Sequence, residues 1–154
     1  MSVTITIGFR STPKEVSFAI YDADEGRVLN IETLRIPIAF DEPQALKFVR
    51  SNVLDILREY SVEFAGIRLT EPSAQSFDLR RIHIEGVIQE AFASSVLRGF
   101  YAGPIAVISR RLGIDRKQFK PAVAGENVLQ IDNWDGMAAN QREAIMTAIG
   151  AARV

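Results

Sequence analysis

The chain of 154 residues is 47% hydrophobic and 24% charged, carries a net charge of −1 and contains no cysteine. These values are typical of one globular domain and exclude disulfides, thiolate nucleophiles and cysteine metal sites, while the near-zero charge does not by itself indicate nucleic acid or a membrane surface. No apolar run approaches the ~20 residues that span a bilayer and the N-terminus has no signal-peptide pattern, so we expect a single cytoplasmic domain over residues 1–154 with no membrane contact.

Three strands are predicted before residue 40. In Val3–Arg10 apolar residues alternate with threonine and glycine, which is the pattern of a central strand ending at Arg10. A second alternating run covers Val16–Tyr21, and a third, Arg27–Ile38, carries charges on both faces, as an edge strand does. The short connections between these runs predict an antiparallel meander.

A helix and a strand are predicted next. Asp41 is placed to cap a helix whose apolar residues recur every three or four positions as far as Tyr60. Phe64–Thr70 is short, apolar and followed by a polar loop, which predicts a buried strand.

Apolar residues then surround a helix predicted from Phe77 to Arg98. We expect this helix to be buried on more than one side and to contribute to a homodimer interface. Gly86 in its middle costs about 1 kcal/mol relative to alanine, which predicts close packing against a neighbour. Pro104–Ser109, with Ile105–Ile108 at its centre, is predicted as a fifth strand.

The remainder contains a basic segment, Arg110–Lys120, a loop over Pro121–Trp134, and a terminal helix from about Asp135 to Ala152. The helical crossovers make the fourth and fifth strands parallel to the first. This order of elements predicts an α/β fold of ribonuclease H-like type, with a five-stranded mixed sheet flanked by helices.

Three short motifs mark the ends of predicted elements. Gly8–Arg10 reads Gly-Phe-Arg, and Phe18 lies ten residues after the glycine. The fourth strand ends in Ile67–Glu71, and the terminal helix carries Asn140–Glu143 followed by Ala144–Ala148. Together these motifs resemble the RuvC-type Holliday-junction resolvases, whose corresponding motifs are Gly-hydrophobic-Asp, a catalytic glutamate and Asp-x-x-Asp followed by Ala-hydrophobic-Ala.

The resemblance implies a site in which four carboxylates hold two magnesium ions. The corresponding positions in this sequence are occupied by Arg10, Glu71, Asn140 and Glu143. Only two of these residues are acids, and an arginine, which keeps its positive charge, opposes a metal ion. We therefore expect a catalytically degenerate domain without a metal, in which Arg10 forms a salt bridge with Glu71 or Glu143. Such a domain would act by binding nucleic acid or a protein partner.

Two alternatives stay open. A magnesium-dependent nuclease could use a rearranged carboxylate set of Glu71, Glu143, Asp132 and Asp135. A dimeric assembly subunit with no nucleic-acid role could use the apolar Phe77–Arg98 helix.

Candidate phosphate contacts lie in the basic segment, since phosphate backbones are bound by clustered lysine and arginine. They are Arg110, Arg111, Arg116, Lys117 and Lys120. A solvated helix end is the alternative explanation. We expect Phe119 and Trp134 to be packed rather than stacked on bases, and His83, the single histidine, to have a structural role.

Overall fold

The computed structural model describes residues 3–153, which form a mixed sheet with helices on both faces. The strands are β1 Ile5–Ser11, β2 Glu15–Asp22, β3 Arg27–Arg35, β4 Phe64–Arg68 and β5 Gly99–Gly103. They lie in the order β3-β2-β1-β4-β5. The first three are antiparallel neighbours, whereas β4 runs parallel to β1 and β5 parallel to β4. The predicted fold class, the central first strand and the edge position of the third are confirmed.

The fifth strand is not where the sequence predicted it. Pro104–Ser109 was assigned to a strand, but Gly99–Gly103 is the strand and the following helix, α3, spans Ile105–Leu112. Apolar residues of α3 are buried at positions 105, 108 and 112, a helical spacing that outweighs the β propensity of valine and isoleucine. The strand itself is short and bounded by glycines, so it shows no alternation.

The helices are α1 Glu42–Glu59, α2 Leu79–Ala93, α3, α4 Phe119–Val123 and α5 Ala139–Ala151, with 3₁₀ turns at Arg116–Gln118 and Trp134–Gly136. Asp41 caps α1 as predicted, since its carboxylate accepts from the Gln44 amide and the Gln44 side-chain oxygen accepts from the Asp41 amide. The predicted helix 77–98 is shorter at both ends, and the terminal helix begins four residues after Asp135. Over residues 3–153 no helix has the length and apolarity to cross a membrane.

Helix α2 is less buried than predicted. Its inner side, including Ile84, Ile88 and Phe92, packs against the sheet, but Leu79 is 69% exposed. Gly86 is also exposed, and a methyl group added there would meet no atom within 4 Å. The expectation that close packing explains this glycine is therefore wrong.

Each face of the sheet carries its own core, because successive residues of a strand point to opposite sides. Ile7 and Phe9 of β1 pack under α1 and α2. Gly8, between them, faces α5, and a side chain there would overlap the helix backbone at Ala144 and Ala148. The Thr6 hydroxyl donates to the Ala148 carbonyl at 2.7 Å. Helix α5 is thereby seated directly on β1, which brings its first turns over the carboxyl end of that strand.

Candidate functional site

Two arginines lie side by side at the carboxyl ends of the central strands. Arg10 of β1 and Arg68 of β4 are paired in register, so their side chains leave the same face of the sheet. They are only 8% and 5% exposed. Two buried guanidiniums at one place require buried anions beside them.

Glu143 of α5 supplies the first anion. Its Oε2 accepts from Arg10 Nε at 3.0 Å and its Oε1 accepts from Arg68 Nε at 3.1 Å. Burial lowers the pKa of Arg10 to about 10 despite the attraction of Glu143, and Arg10 therefore stays positively charged at neutral pH. The predicted salt bridge of Arg10 is present, with Glu143 as its partner.

Glu71 supplies the second anion, from the loop after β4. Its Oε2 accepts from Arg68 Nη1 at 3.2 Å and from the backbone amide of Ile105 at 3.0 Å. That amide belongs to the first turn of α3, where hydrogen-bond donors lack partners within the helix. Glu71 therefore caps α3, and Arg68 connects the two carboxylates. We refer to Arg10, Arg68, Glu71 and Glu143 as the ion network.

Arg68 was missed by the sequence reasoning. It lies inside the predicted strand Phe64–Thr70, three residues before Glu71. A charged residue within a short apolar strand that is buried on both faces is a signal for a buried ion pair. Only the register of β4 against β1 shows that Arg68 stands next to Arg10.

A second polar group fastens α2 to the same edge of the sheet. Arg81 Nε donates to the Ser11 carbonyl at 2.9 Å, and the Glu85 carboxylate accepts from the Thr70 amide at 3.0 Å and from its hydroxyl at 2.7 Å. His83 of this helix is exposed, with Nδ1 3.2 Å from Glu42 of α1.

The remaining acidic and amide candidates do not join the network. Asn140 lies one turn before Glu143 on α5 and is half-buried. Asp132 and Asp135 are exposed in the segment before that helix, and Asp132 lines a different cavity, beside the first half of β3. The structure does not gather Glu71, Glu143, Asp132 and Asp135 into one site.

The five basic candidates divide into two groups. Arg110 and Arg111 are on α3, and the Arg111 guanidinium carbon lies 4.2 Å from the centre of the Tyr101 ring. The other three line one cavity of about 290 Å³ together with Glu71 and Ser73: they are Arg116, Lys117 and Lys120. Only this second group is adjacent to the ion network.

Two aromatic residues anchor this region, as predicted. Phe119 is 1% exposed, and its ring centre lies 5.7 Å from the Arg68 guanidinium carbon. Trp134 is buried, and its Nε1 donates to the Ala122 carbonyl at 2.9 Å. The anchoring of Phe119 holds the adjacent Lys117 and Lys120 next to the ion network.

No protein-family model and no curated protein sequence matches this chain. Its structure is similar to that of Thermus thermophilus RuvC, with a TM-score of 0.73 and 12% identity, over 96% of this chain and 92% of that one. The same protein in complex with a Holliday junction substrate gives a TM-score of 0.72 at 11% identity, over 96% and 91%. The yeast mitochondrial Holliday junction resolvase Ydc2 gives 0.61 at 10%, over 96% and 78%. The chain thus has a RuvC-like, ribonuclease H-like fold.

The residues present do not fit the two magnesium ions that this resemblance implies. Both carboxylates, Glu71 and Glu143, are hydrogen-bonded to guanidiniums, and a divalent cation between them would meet the charges of Arg10 and Arg68. Over residues 3–153 no group of three or more histidine, aspartate and glutamate side chains is arranged to hold a metal.

Proposed function

We propose that the chain is a catalytically degenerate RuvC-like domain that acts by binding nucleic acid. The observation that carries the proposal is the ion network, in which two guanidiniums hold the carboxylates that a metal ion would need. Arg10 and Arg68 satisfy Glu143 and Glu71 through charge-assisted hydrogen bonds, which are about twice as strong as neutral ones. The site can therefore keep its shape without the ions that activate water in two-metal nucleases.

Nucleic-acid binding is supported by the position of three cations at the edge of the sheet where ligands of open α/β folds bind. Arg116, Lys117 and Lys120 are exposed around one cavity. The Thermus thermophilus protein with this fold is known in complex with a Holliday junction substrate, so a four-way DNA junction is the first ligand to test. If these three side chains each neutralise one phosphate of duplex DNA, the logarithm of the binding constant falls with the logarithm of salt concentration with a slope of about −2.7.

The test measures binding and cleavage on the same fluorescein-labelled ligands: a four-way junction, duplex DNA, single-stranded DNA and an RNA–DNA hybrid. Fluorescence anisotropy with increasing salt should give binding to at least one ligand, and incubation with magnesium should leave all of them intact. The double variant Lys117→Glu/Lys120→Glu should lose binding. The matched control Arg27→Glu/Arg98→Glu, with the same charge change at the opposite ends of the strands, should retain it.

Two outcomes would contradict the proposal. Magnesium-dependent cleavage that is abolished by Glu71→Gln would establish the nuclease alternative. Failure to bind any of the four ligands at 50 mM salt would rule out nucleic acid as the partner.

A protein partner is favoured by a different observation, the open apolar groove between α1 and α2. The groove has a volume of about 610 Å³, and its apolar lining includes Pro43, Leu46, Ile82 and Val87. We propose that a second copy of the chain covers it, forming a homodimer. Sedimentation equilibrium should then give twice the 17.1 kDa monomer mass, and Leu46→Glu should return it to the monomer. A single 17.1 kDa species at high concentration would contradict the dimer.

A further inference from the structure

The cavity beside Glu71 contains more positive than negative charge. Arg116, Lys117 and Lys120 line it, and within residues 3–153 none of these three has a carboxylate within salt-bridge distance. The one acid in its wall is Glu71, whose carboxylate is held by Arg68 and by the Ile105 amide. The charge of Glu71 is already balanced by Arg68, so the three positive charges of the cavity have no counter-charge of their own among its lining residues.

The backbone that carries the cations is held by hydrogen bonds of its own. Asp115 caps the 3₁₀ turn Arg116–Gln118: its carboxylate accepts from the Lys117 amide at 2.8 Å, and its own amide donates to Gln118 Oε1 at 2.9 Å. Phe119, the residue after Gln118, is itself buried in the core. Asp115 itself does not line the cavity. A backbone that is already ordered loses less conformational entropy when its side chains bind an anion.

The charge and size of the cavity select the kind of anion. A phosphate monoester carries about −1.5 to −2 charges at neutral pH, whereas an internal phosphodiester carries one. The monoester therefore balances the excess charge more closely. The volume of about 290 Å³ lies just below the roughly 300–1,000 Å³ of ligand pockets. This is enough space for one phosphate with its neighbouring sugar.

We infer that this cavity binds the terminal phosphate of a nucleic-acid strand. The inference rests on the proposed nucleic-acid binding and adds that the chain recognises a phosphorylated strand end. Arg116, Lys117 and Lys120 hold the phosphate oxygens, and the Ser73 hydroxyl, which also lines the cavity, is a further donor. Glu71 faces the phosphate from the other side, so its charge limits the affinity.

The experiment compares one single-stranded oligonucleotide with a 5′-phosphate, with a 3′-phosphate, or with hydroxyl groups at both ends, labelled at an internal base. In anisotropy titrations a phosphorylated strand should bind at least tenfold more tightly than the hydroxyl strand. Millimolar inorganic phosphate should reduce this preference. Lys117→Gln/Lys120→Gln should remove it, Arg27→Gln/Arg98→Gln should retain it, and Glu71→Gln, which keeps an acceptor for the Ile105 amide, should increase it.

The failures of the two proposals are distinguishable. Equal binding of the phosphorylated and hydroxyl strands would overturn the terminal-phosphate site and leave nucleic-acid binding intact. Absence of binding to every strand would overturn both. A preference that persists in a folded Lys117→Gln/Lys120→Gln variant would place the end-recognition site elsewhere and overturn this assignment. Circular dichroism establishes that each variant is folded before it is titrated.

Discussion

Replacement of Glu143 by glutamine tests whether the ion network stabilises the fold. Glu143 is 7% exposed, and its carboxylate accepts hydrogen bonds of 3.0 Å from Arg10 and 3.1 Å from Arg68. An amide has one acceptor oxygen and no charge, so it cannot replace both bonds. Glu71 continues to neutralise Arg68 in the variant, but Arg10 is left with a 3.4 Å contact to the Arg68 carbonyl. The network then contains one uncompensated buried charge.

Removing one partner of a buried ion pair costs about 3–5 kcal/mol. We expect Glu143→Gln to lower the free energy of unfolding by that amount, which is a large part of the roughly 5–15 kcal/mol of a typical domain. Urea unfolding measures the change by linear extrapolation. The fluorescence of Trp134, the single tryptophan, reports the transition, because this residue is buried in the core on the α5 side of the sheet.

Two further variants separate the loss of charge balance from general damage. Glu90→Gln removes an exposed carboxylate paired with Arg50 and should leave stability unchanged. Arg10→Met in the Glu143→Gln background removes the uncompensated cation and should recover part of the loss. If the free energy of unfolding of Glu143→Gln lies within about 1 kcal/mol of that of the original protein, the network does not stabilise the fold as buried ion pairs are expected to.

Three other predictions use the same unfolding measurements. Gly8→Ala should lower the free energy of unfolding by ~3 kcal/mol or more, because the methyl group overlaps the α5 backbone. Gly86→Ala should raise it by about 1 kcal/mol, because the methyl group meets no atom there. Equal effects of the two variants would contradict this difference in packing. Burial raises the pKa of Tyr101 above its ordinary value, so its neutral form is favoured in the folded state. The unfolding free energy of the original protein relative to Tyr101→Phe should therefore fall as pH rises above about 10, and a constant difference up to pH 11.5 would contradict this. Arg10→Asp should lower the free energy of unfolding, because the new carboxylate lies beside Glu143 and Glu71, and magnesium should restore part of the loss. An equal loss with and without magnesium would show that the variant has no magnesium site there.

The general arrangement of the sheet was predictable because alternation in β1 and helical spacing in α1 are local signals. The fifth strand was not, since Gly99–Gly103 is a strand through its pairing with β4. A side chain on Gly66 would overlap the Tyr101 ring, so this pairing depends on a glycine in the neighbouring strand. Nothing in the five residues of β5 reveals that relation.

The candidate site was predictable where its residues lie in local motifs and was not predictable where they are brought together by long-range contacts. Arg10 and Glu143 follow from motifs at the ends of elements, and their salt bridge was correctly expected. Arg68 depends on strand register, and the position of Lys117 and Lys120 depends on how Phe119 packs. Both are long-range relations, so a linear reading of the basic segment could not separate these lysines from Arg111.

The seating of α5 on β1 has a consequence for how the protein is made. The hydrogen bond from Thr6 to Ala148 joins residues 142 positions apart, and the contact of Arg10 with Glu143 spans 133. While α5 is still inside the ribosome, the apolar face of the sheet that α5 covers is exposed. Arg10 and Arg68 also lack their ion-pair partner Glu143 at that stage. Contacts of such high sequence separation form slowly, and exposed sheet surface favours aggregation. We expect the growing chain to depend on chaperones until α5 has emerged.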